Sequence, residues 1–209
     1  SYNKELEEEN ILLRTELANA QKTPEKNSSN NNGNEEIQKN YENLKQKYNT
    51  LMTPESYNTT MGVVRTINEK LSATHQLFIC EMGAKYVGDI KEICDIVDPT
   101  YGILTAIGPQ HLDTFKSLDN VRKTKLELVD SLPNENGIAF VNWEDENIRN
   151  SKITKNMVKF GLTNEADYYA ENIEIDERGS NFDVVMPNND TIKIKTKLLG
   201  KLNVLNIVG

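Results

Sequence analysis

Apolar residues return along this chain with two different periods, and the change from one to the other divides it. Near the N-terminus they recur every three or four positions. Leu6, Asn10, Leu13, Leu17 and Ala20 form one stripe, flanked by glutamates, with Asn10 where a polar residue in a helical seam sets register. Ile37, Tyr41, Leu44, Tyr48 and Leu51 form a second stripe with heptad spacing. Each stripe reads equally as an amphipathic helix packed on its own domain or as a short coiled coil. Between them, residues 21–36 include the low-complexity run Lys22–Glu36, which predicts a flexible linker. Residues 1–50 are therefore expected to be helical with a linker, and residues 51–209 to form the globular body.

Within the body, strand-like and helix-like patterns alternate. Thr53–Asn58 is turn chemistry, and Met61, Val64, Ile67 and Leu71 follow at helical spacing. Gln76–Cys80 reads as a buried strand. Gly88-Asp89 opens a helix with Ile90, Ile93, Cys94 and Val97 on one face, stopped by Asp98-Pro99. Tyr101–Thr105 is the next strand, a helix capped by Ser117 or Asp119 runs to about Ser131, and Gly137–Asn142 is a third strand. This alternation predicts an α/β fold with a mostly parallel sheet and flanking helices. After residue 156 the pattern becomes β only. Met157–Leu162, Tyr169–Ile175, Phe182–Met186 and Thr191–Lys197 predict a small antiparallel extension, with turns at Gly179-Ser180 and Pro187–Asp190. Leu202–Val208 looks like the start of a helix, and a chain ending there at Gly209 suggests truncation.

Composition narrows the classes. Hydrophobic residues make up 37% of the 209 and mean hydropathy is -0.62, with the polar excess concentrated in residues 1–50. A net charge of -8 and a pI near 5.0 argue against a nucleic-acid partner, which needs clustered Lys and Arg. No apolar run approaches a membrane span and no signal-peptide core is present. Cys80 and Cys94 lie in apolar patterns without metal-ligand spacing and are expected to be small buried hydrophobes in a reducing compartment, the cytoplasm.

The candidate chemistry gathers at strand ends, where open α/β sheets bind ligands. Leu77–Cys80 runs into Glu81. Tyr101–Leu104 leads into Thr105–Asp113, a Gly-Pro turn presenting His111, one of only two histidines. Lys125 follows on the next predicted helix. A carboxylate at such an edge can hold Mg²⁺ beside substrate phosphates. Each residue alone has an ordinary reading: a solvated strand-end charge, a loop histidine, an exposed helix lysine.

Five segments together are more specific: Thr53–Gly62 (TPESYNTTMG), Cys80–Ala84 (CEMGA), Thr105–Leu112 (TAIGPQHL), Thr124–Glu127 (TKLE) and Gly200–Asn206 (GKLNVLN). In order and spacing they resemble the central domain of the Mur ligases, most like the UDP-N-acetylmuramoyl-tripeptide:D-alanyl-D-alanine ligase branch, over about residues 50–209. The resemblance implies Mg²⁺ and ATP as cofactors and a UDP-sugar peptide as substrate. It implies that Glu81 and His111 bind Mg²⁺, and that Lys125 is carbamylated and helps hold a second metal. It further implies that Asn203 and Asn206 lie near adenine, and that Thr53, Ser56 and Asn58 lie near the nucleotide-sugar substrate and the phosphates. The reaction implied is ATP-dependent amide-bond formation through an acyl phosphate.

The sequence also departs from that family. A Gly-rich phosphate loop ending in Gly-Lys-Thr or Gly-Lys-Ser should precede Thr53, but the only glycine before Gly62 is Gly33, and neither tripeptide occurs anywhere. Leu202 replaces the family's histidine in the Gly-x-His-Asn segment. Segments matching the N-terminal and C-terminal domains are absent. The expectation is a central-domain fragment or divergent relative that is inactive alone. The alternative is a non-catalytic scaffold that self-associates through its N-terminal helices.

Overall fold

The computed structural model describes residues 49–109 and 111–209, in two compact units, residues 49–159 and 160–209. The stripe Leu6–Ala20, the linker and Ile37–Tyr48 lie outside the described residues.

The first unit is built from repeated strand-helix crossovers. Strand β1 (Thr50–Met52) leads to α1 (Thr60–Lys70), which returns the chain to β2 (Leu77–Ile79), parallel to β1 with Leu51 opposite Phe78. Helix α2 (Asp89–Val97) follows, then β3 (Tyr101–Leu104). A four-residue turn of helix, α3 (Leu112–Phe115), precedes α4 (Leu118–Ser131), and β4 (Ile138–Asn142) pairs parallel to β3. A second short helix, α5 (Glu146–Arg149), follows, and β5 (Asn156–Gly161) runs across the boundary between the units.

The cap residues fit the predicted boundaries. Thr59 caps α1 by accepting from the Gly62 amide, and Ser117 caps α4 by accepting from Asn120. Helix α2 has no side-chain cap of its own, because Gly88 stands at its N-cap with φ 97°. Glu127 on α4 supplies one from across the unit: its two carboxylate oxygens accept from the Gly88 and Lys91 amides, each at 2.9 Å. A carboxylate there also suits the positive end of the helix dipole. The core behind β3 and β4 consists of Leu104, Ile107, Phe115, Val121, Leu132 and Val141, with neighbouring aliphatics.

In the second unit β6 (Tyr168–Asp176), β7 (Gly179–Val185) and β8 (Thr191–Thr196) form an antiparallel meander, while Phe160-Gly161 pairs parallel with Tyr168-Tyr169. The β6–β7 register shifts between Glu171 and Glu174, with Asn172 at φ 53° donating to Asp183 at 2.8 Å. Helix α6 (Lys201–Val208) buries Val204, Leu205, Ile207 and Val208. Among the described residues no helix is long and apolar enough to cross a membrane.

Four expectations need correction. Leu51, counted in the second heptad stripe, is a buried residue of β1, where the alternation Thr50-Leu51-Met52 sends only its side chain inward. Gln76–Cys80 is shorter and less buried than expected: Leu77 and Ile79 are exposed, because alternation turns them away from the face bearing Phe78. Gly179-Ser180 opens β7 rather than making the turn, since the close approach of β8 admits only glycine; a Cβ at Gly179 would stand 1.9 Å from the Thr196 carbonyl oxygen. Cys80 is only half-buried, whereas Cys94 is buried as expected.

Candidate active site

The Glu81 corner is assembled by the exits of β1 and β2. The Thr53 amide donates to the Ile79 carbonyl at 3.0 Å, extending the parallel ladder one step. The Thr53 hydroxyl then accepts from the Glu81 amide at 3.0 Å. Asn58 binds the same residue from its side chain, donating through Nδ2 to Glu81 Oε1 at 2.9 Å, while its carbonyl accepts from Gly83 at 2.7 Å. A neutral amide donor fixes one carboxylate oxygen without cancelling its charge, and the Glu81 side chain stays exposed. Between these anchors the turn Pro54–Tyr57 carries Ser56 at its tip, exposed and at φ 67°. The bonds uniting Thr53, Asn58 and Glu81 do not include Ser56. Beyond Glu81, Asp89 accepts from the Lys85 and Tyr86 amides at 2.8 and 2.9 Å, which ties the loop to the start of α2. Burial pushes the neighbouring Cys80 thiol up to about 11, so it is protonated and unreactive near neutral pH.

The His111 turn is held differently. Four side chains bind three consecutive residues of its backbone. Asn142 donates to the Thr105 carbonyl at 2.7 Å and Lys125 Nζ to the Ala106 carbonyl at 2.9 Å. Asp145 accepts from the Ile107 amide at 2.7 Å, and Asn147 donates to the Ile107 carbonyl at 2.8 Å. Gly108 and Pro109 then carry the chain outward. His111 is exposed at φ 48°, a conformation histidine tolerates better than most side chains. Its carbonyl accepts from the Thr114 and Phe115 amides, each at 3.0 Å, so it opens α3, and Phe115 fastens that helix into the core.

Lys125 reaches this turn from α4. Partial burial lowers its ammonium below the ordinary lysine value of 10.5, and the nearby Asp145 carboxylate opposes the shift. A lysine with that bias releases its proton more readily than a solvated one, which a nucleophilic amine requires.

The structure thus joins Thr53, Asn58 and Glu81 by direct hydrogen bonds, and joins Lys125 to the turn that leads to His111. Asn203 and Asn206 lie on α6 in the second unit. Asn203 is half-buried and donates to the Leu199 carbonyl at 2.7 Å; Asn206 is exposed. Sequence reasoning missed Asn142, Asp145 and Asn147. Asp145 has a local signal as an acceptor at the start of a helix, and it does accept from the Asn147 and Ile148 amides. Its bond to Ile107 spans 38 positions and has no sequence signature.

The Glu81 carboxylate is an oxygen donor of the type that hard cations such as Mg²⁺ accept. Such an ion takes one or two carboxylates, keeps several waters and completes its shell with phosphate oxygens. Glu81 offers an exposed, oriented carboxylate, and no group of three or more His, Cys, Asp and Glu gathers to cage a metal among the described residues.

Comparison with known proteins identifies the family and the fold. The Mur ligase middle domain matches residues 27–209. A UDP-N-acetylmuramoyl-tripeptide–D-alanyl-D-alanine ligase of Buchnera aphidicola subsp. Baizongia pistaciae is 32% identical over 170 residues, covering 79% of this chain and 36% of that relative. A crystal structure of MurF from Acinetobacter baumannii superposes with a TM-score of 0.66 at 28% identity, over 75% of this chain and 34% of that one. The MurF ligase of Thermotoga maritima in complex with ADP shares the fold, with a TM-score of 0.70 at 24% identity over 79% of this chain and 38% of that one. The chain therefore spans about a third of the length of these proteins. With the domain match covering most of its length, and the mixed parallel and antiparallel α/β fold shared with solved examples, the chain belongs to the Mur ligase middle-domain family.

Proposed function

We propose that this chain supplies the nucleotide- and metal-binding middle of an ATP-dependent, amide-bond-forming ligase of peptidoglycan precursor synthesis, acting in the cytoplasm on a UDP-sugar peptide. The observation that carries the reading is the Glu81 corner, in which Thr53 and Asn58 orient an exposed carboxylate at the end of a parallel strand. In such a reaction the substrate carboxylate takes the γ-phosphoryl group of ATP, releasing ADP. The incoming amine attacks the acyl carbon of the resulting acyl phosphate, and the tetrahedral intermediate expels inorganic phosphate as the amide forms. Mg²⁺, when bound, offsets the negative charge on the transferring phosphoryl group.

Glu81 and His111 are the residues that would hold the metal. Lys125, its ammonium already destabilised by burial, is suited to carbamylation by CO₂, which replaces an amine with an anionic oxygen donor. Thr53 acts through the Glu81 backbone and Asn58 through its carboxylate, with Ser56 presented outward to substrate or phosphate. Asn203 and Asn206 are assigned to the adenine side.

Calorimetric titration of the full chain with ATP and Mg²⁺ tests the assignment. Binding tighter than about 1 mM, lost in both Glu81→Ala and His111→Ala, supports it; no binding by the wild-type chain sinks the claim for this chain alone. Specific incorporation of ¹³C-labelled CO₂ at Lys125, absent in Lys125→Arg, tests the carbamate.

One observation favours a second reading: no Gly-Lys-Thr or Gly-Lys-Ser occurs anywhere in the sequence. In that reading the body is a non-catalytic scaffold and residues 1–50 mediate self-association. Light scattering of the full chain against a Leu13→Asp, Leu44→Asp variant decides it: a mass that does not fall excludes the oligomer.

A further inference from the structure

The turn that leads to His111 is fixed at two points. Upstream, Ile107 is buried to 1% exposure, and both its peptide groups are bound by the loop after β4. Downstream, Phe115 is buried to 3% and anchors α3. Only three positions separate Ile107 from His111 in the sequence, so a clamp on the Ile107 peptide acts close along the chain to the imidazole.

Asp145 dominates the upstream anchor. Its Oδ2 accepts from the Ile107 amide at 2.7 Å, while Oδ1 accepts from the Asn147 and Ile148 amides at 2.9 and 3.1 Å. One carboxylate therefore caps α5 and grips the turn together. Asn147, aligned by that cap, donates to the carbonyl of the same Ile107 residue at 2.8 Å. Asn142 closes the frame on Thr105, and its own Oδ1 is held by the Glu144 amide at 2.9 Å. Neither Asp145 nor Asn147 belongs to the segments that carry the family resemblance.

We propose that Asp145 is a positioning residue for His111, clamping the Ile107 peptide to the β4–α5 loop so that the Gly108-Pro109 turn presents the imidazole in one place. Its functional meaning rests on the assignment of His111 to the metal corner above; the clamp itself does not. Asp145→Asn separates the two duties of the carboxylate. Asparagine serves as well as aspartate at a helix N-cap, so its single oxygen keeps α5 capped. The amide NH₂ then faces the Ile107 N–H, two donors with no acceptor, and the clamp opens.

The experiment is NMR of the full chain with ¹³C,¹⁵N-labelled histidine and uniformly ¹⁵N-labelled backbone. The chain has only two histidines, and His75, held in its own turn by the Ser72 amide at 3.0 Å, is an internal control. In Asp145→Asn the His111 ring signals are expected to shift and broaden, and exchange of the Ile107 amide hydrogen to quicken about tenfold, with His75 unchanged. Asn147→Ala, which opens the other half of the clamp, should move the same signals. Faster Ile107 exchange with an unmoved His111 ring overturns the proposal, as does no change at either residue. A global shift that includes His75 also counts against it, because it makes Asp145 a general structural residue. Titration of the wild-type chain with Mn²⁺ separates the two claims. Failure to broaden His111 selectively defeats the metal assignment, whereas the metal-free spectra still decide the clamp.

Discussion

Replacing Glu127 by alanine should destabilise the first unit by about 2 kcal/mol, and the reason lies in one carboxylate serving two amides. Gly88 stands at the N-cap of α2 with no side chain, and Glu127 substitutes by accepting from the Gly88 and Lys91 amides at 2.9 Å each. Losing an N-cap acceptor costs about 1 kcal/mol, and losing a negative charge near a helix N-terminus costs about 0.3–1 kcal/mol more. The Lys91 amide recovers part of its loss from water because Lys91 is exposed, while the half-buried Gly88 amide recovers less. Glu127→Gln keeps one acceptor oxygen and no charge, so it should fall about midway. For a folded body of this size, about 2 kcal/mol corresponds to about 4–8 °C in Tm. Urea and thermal denaturation of the full chain, followed by far-UV circular dichroism, give both numbers. A Glu127→Ala variant within about 0.3 kcal/mol of wild type would refute the capping argument. Glu127 would then have to be explained by the site chemistry of the Thr124–Glu127 segment rather than by the fold.

Thr124 is fully buried and its hydroxyl has no hydrogen-bond partner among the described residues, so Thr124→Val should raise stability by about 1 kcal/mol in the same denaturation assay; a loss would show that the hydroxyl is satisfied in solution. Gly62→Ala should cost about 1–3 kcal/mol, because its Cβ would meet the Tyr57 backbone at 2.7–2.9 Å and the backbone cannot swing aside as a side chain does. The Lys125 ammonium is disfavoured in the folded state, so the unfolded chain holds that proton more tightly. Stability contributed at Lys125 therefore rises with pH through the window from its lowered folded value up to 10.5. Urea melts of wild type against Lys125→Met across that window should show the wild type gaining relative to the variant; a constant difference means that Lys125 titrates normally.

Local sequence signals identified elements well where side chains choose their conformation through near neighbours. Ser117 and the apolar positions of Leu118–Ser131 define α4 to its ends, and Asp98-Pro99 stops α2. They failed where a distant strand made the choice. Leu51 carries the spacing of a helical stripe, yet pairing with Phe78 makes it a strand residue. Gly179 resembles a turn residue, yet β8 approaches so closely that the same lack of a side chain serves a strand.

The candidate site divides along the same line. The sequence by itself determined the family, because Glu81 after a strand, His111 before a helix and Lys125 within the next helix stand in co-linear segments, and element order along a chain is a one-dimensional property. Tertiary structure alone decided how those residues are held. Asn58 meets Glu81 across 23 positions, Lys125 meets Ala106 across 19, and Asp145 meets Ile107 across 38. Bonds of that kind depend on parallel pairing within β1–β2 and within β3–β4, which brings segments distant in sequence together at the ends of paired strands, so that one loop's backbone is completed by side chains from elsewhere in the chain.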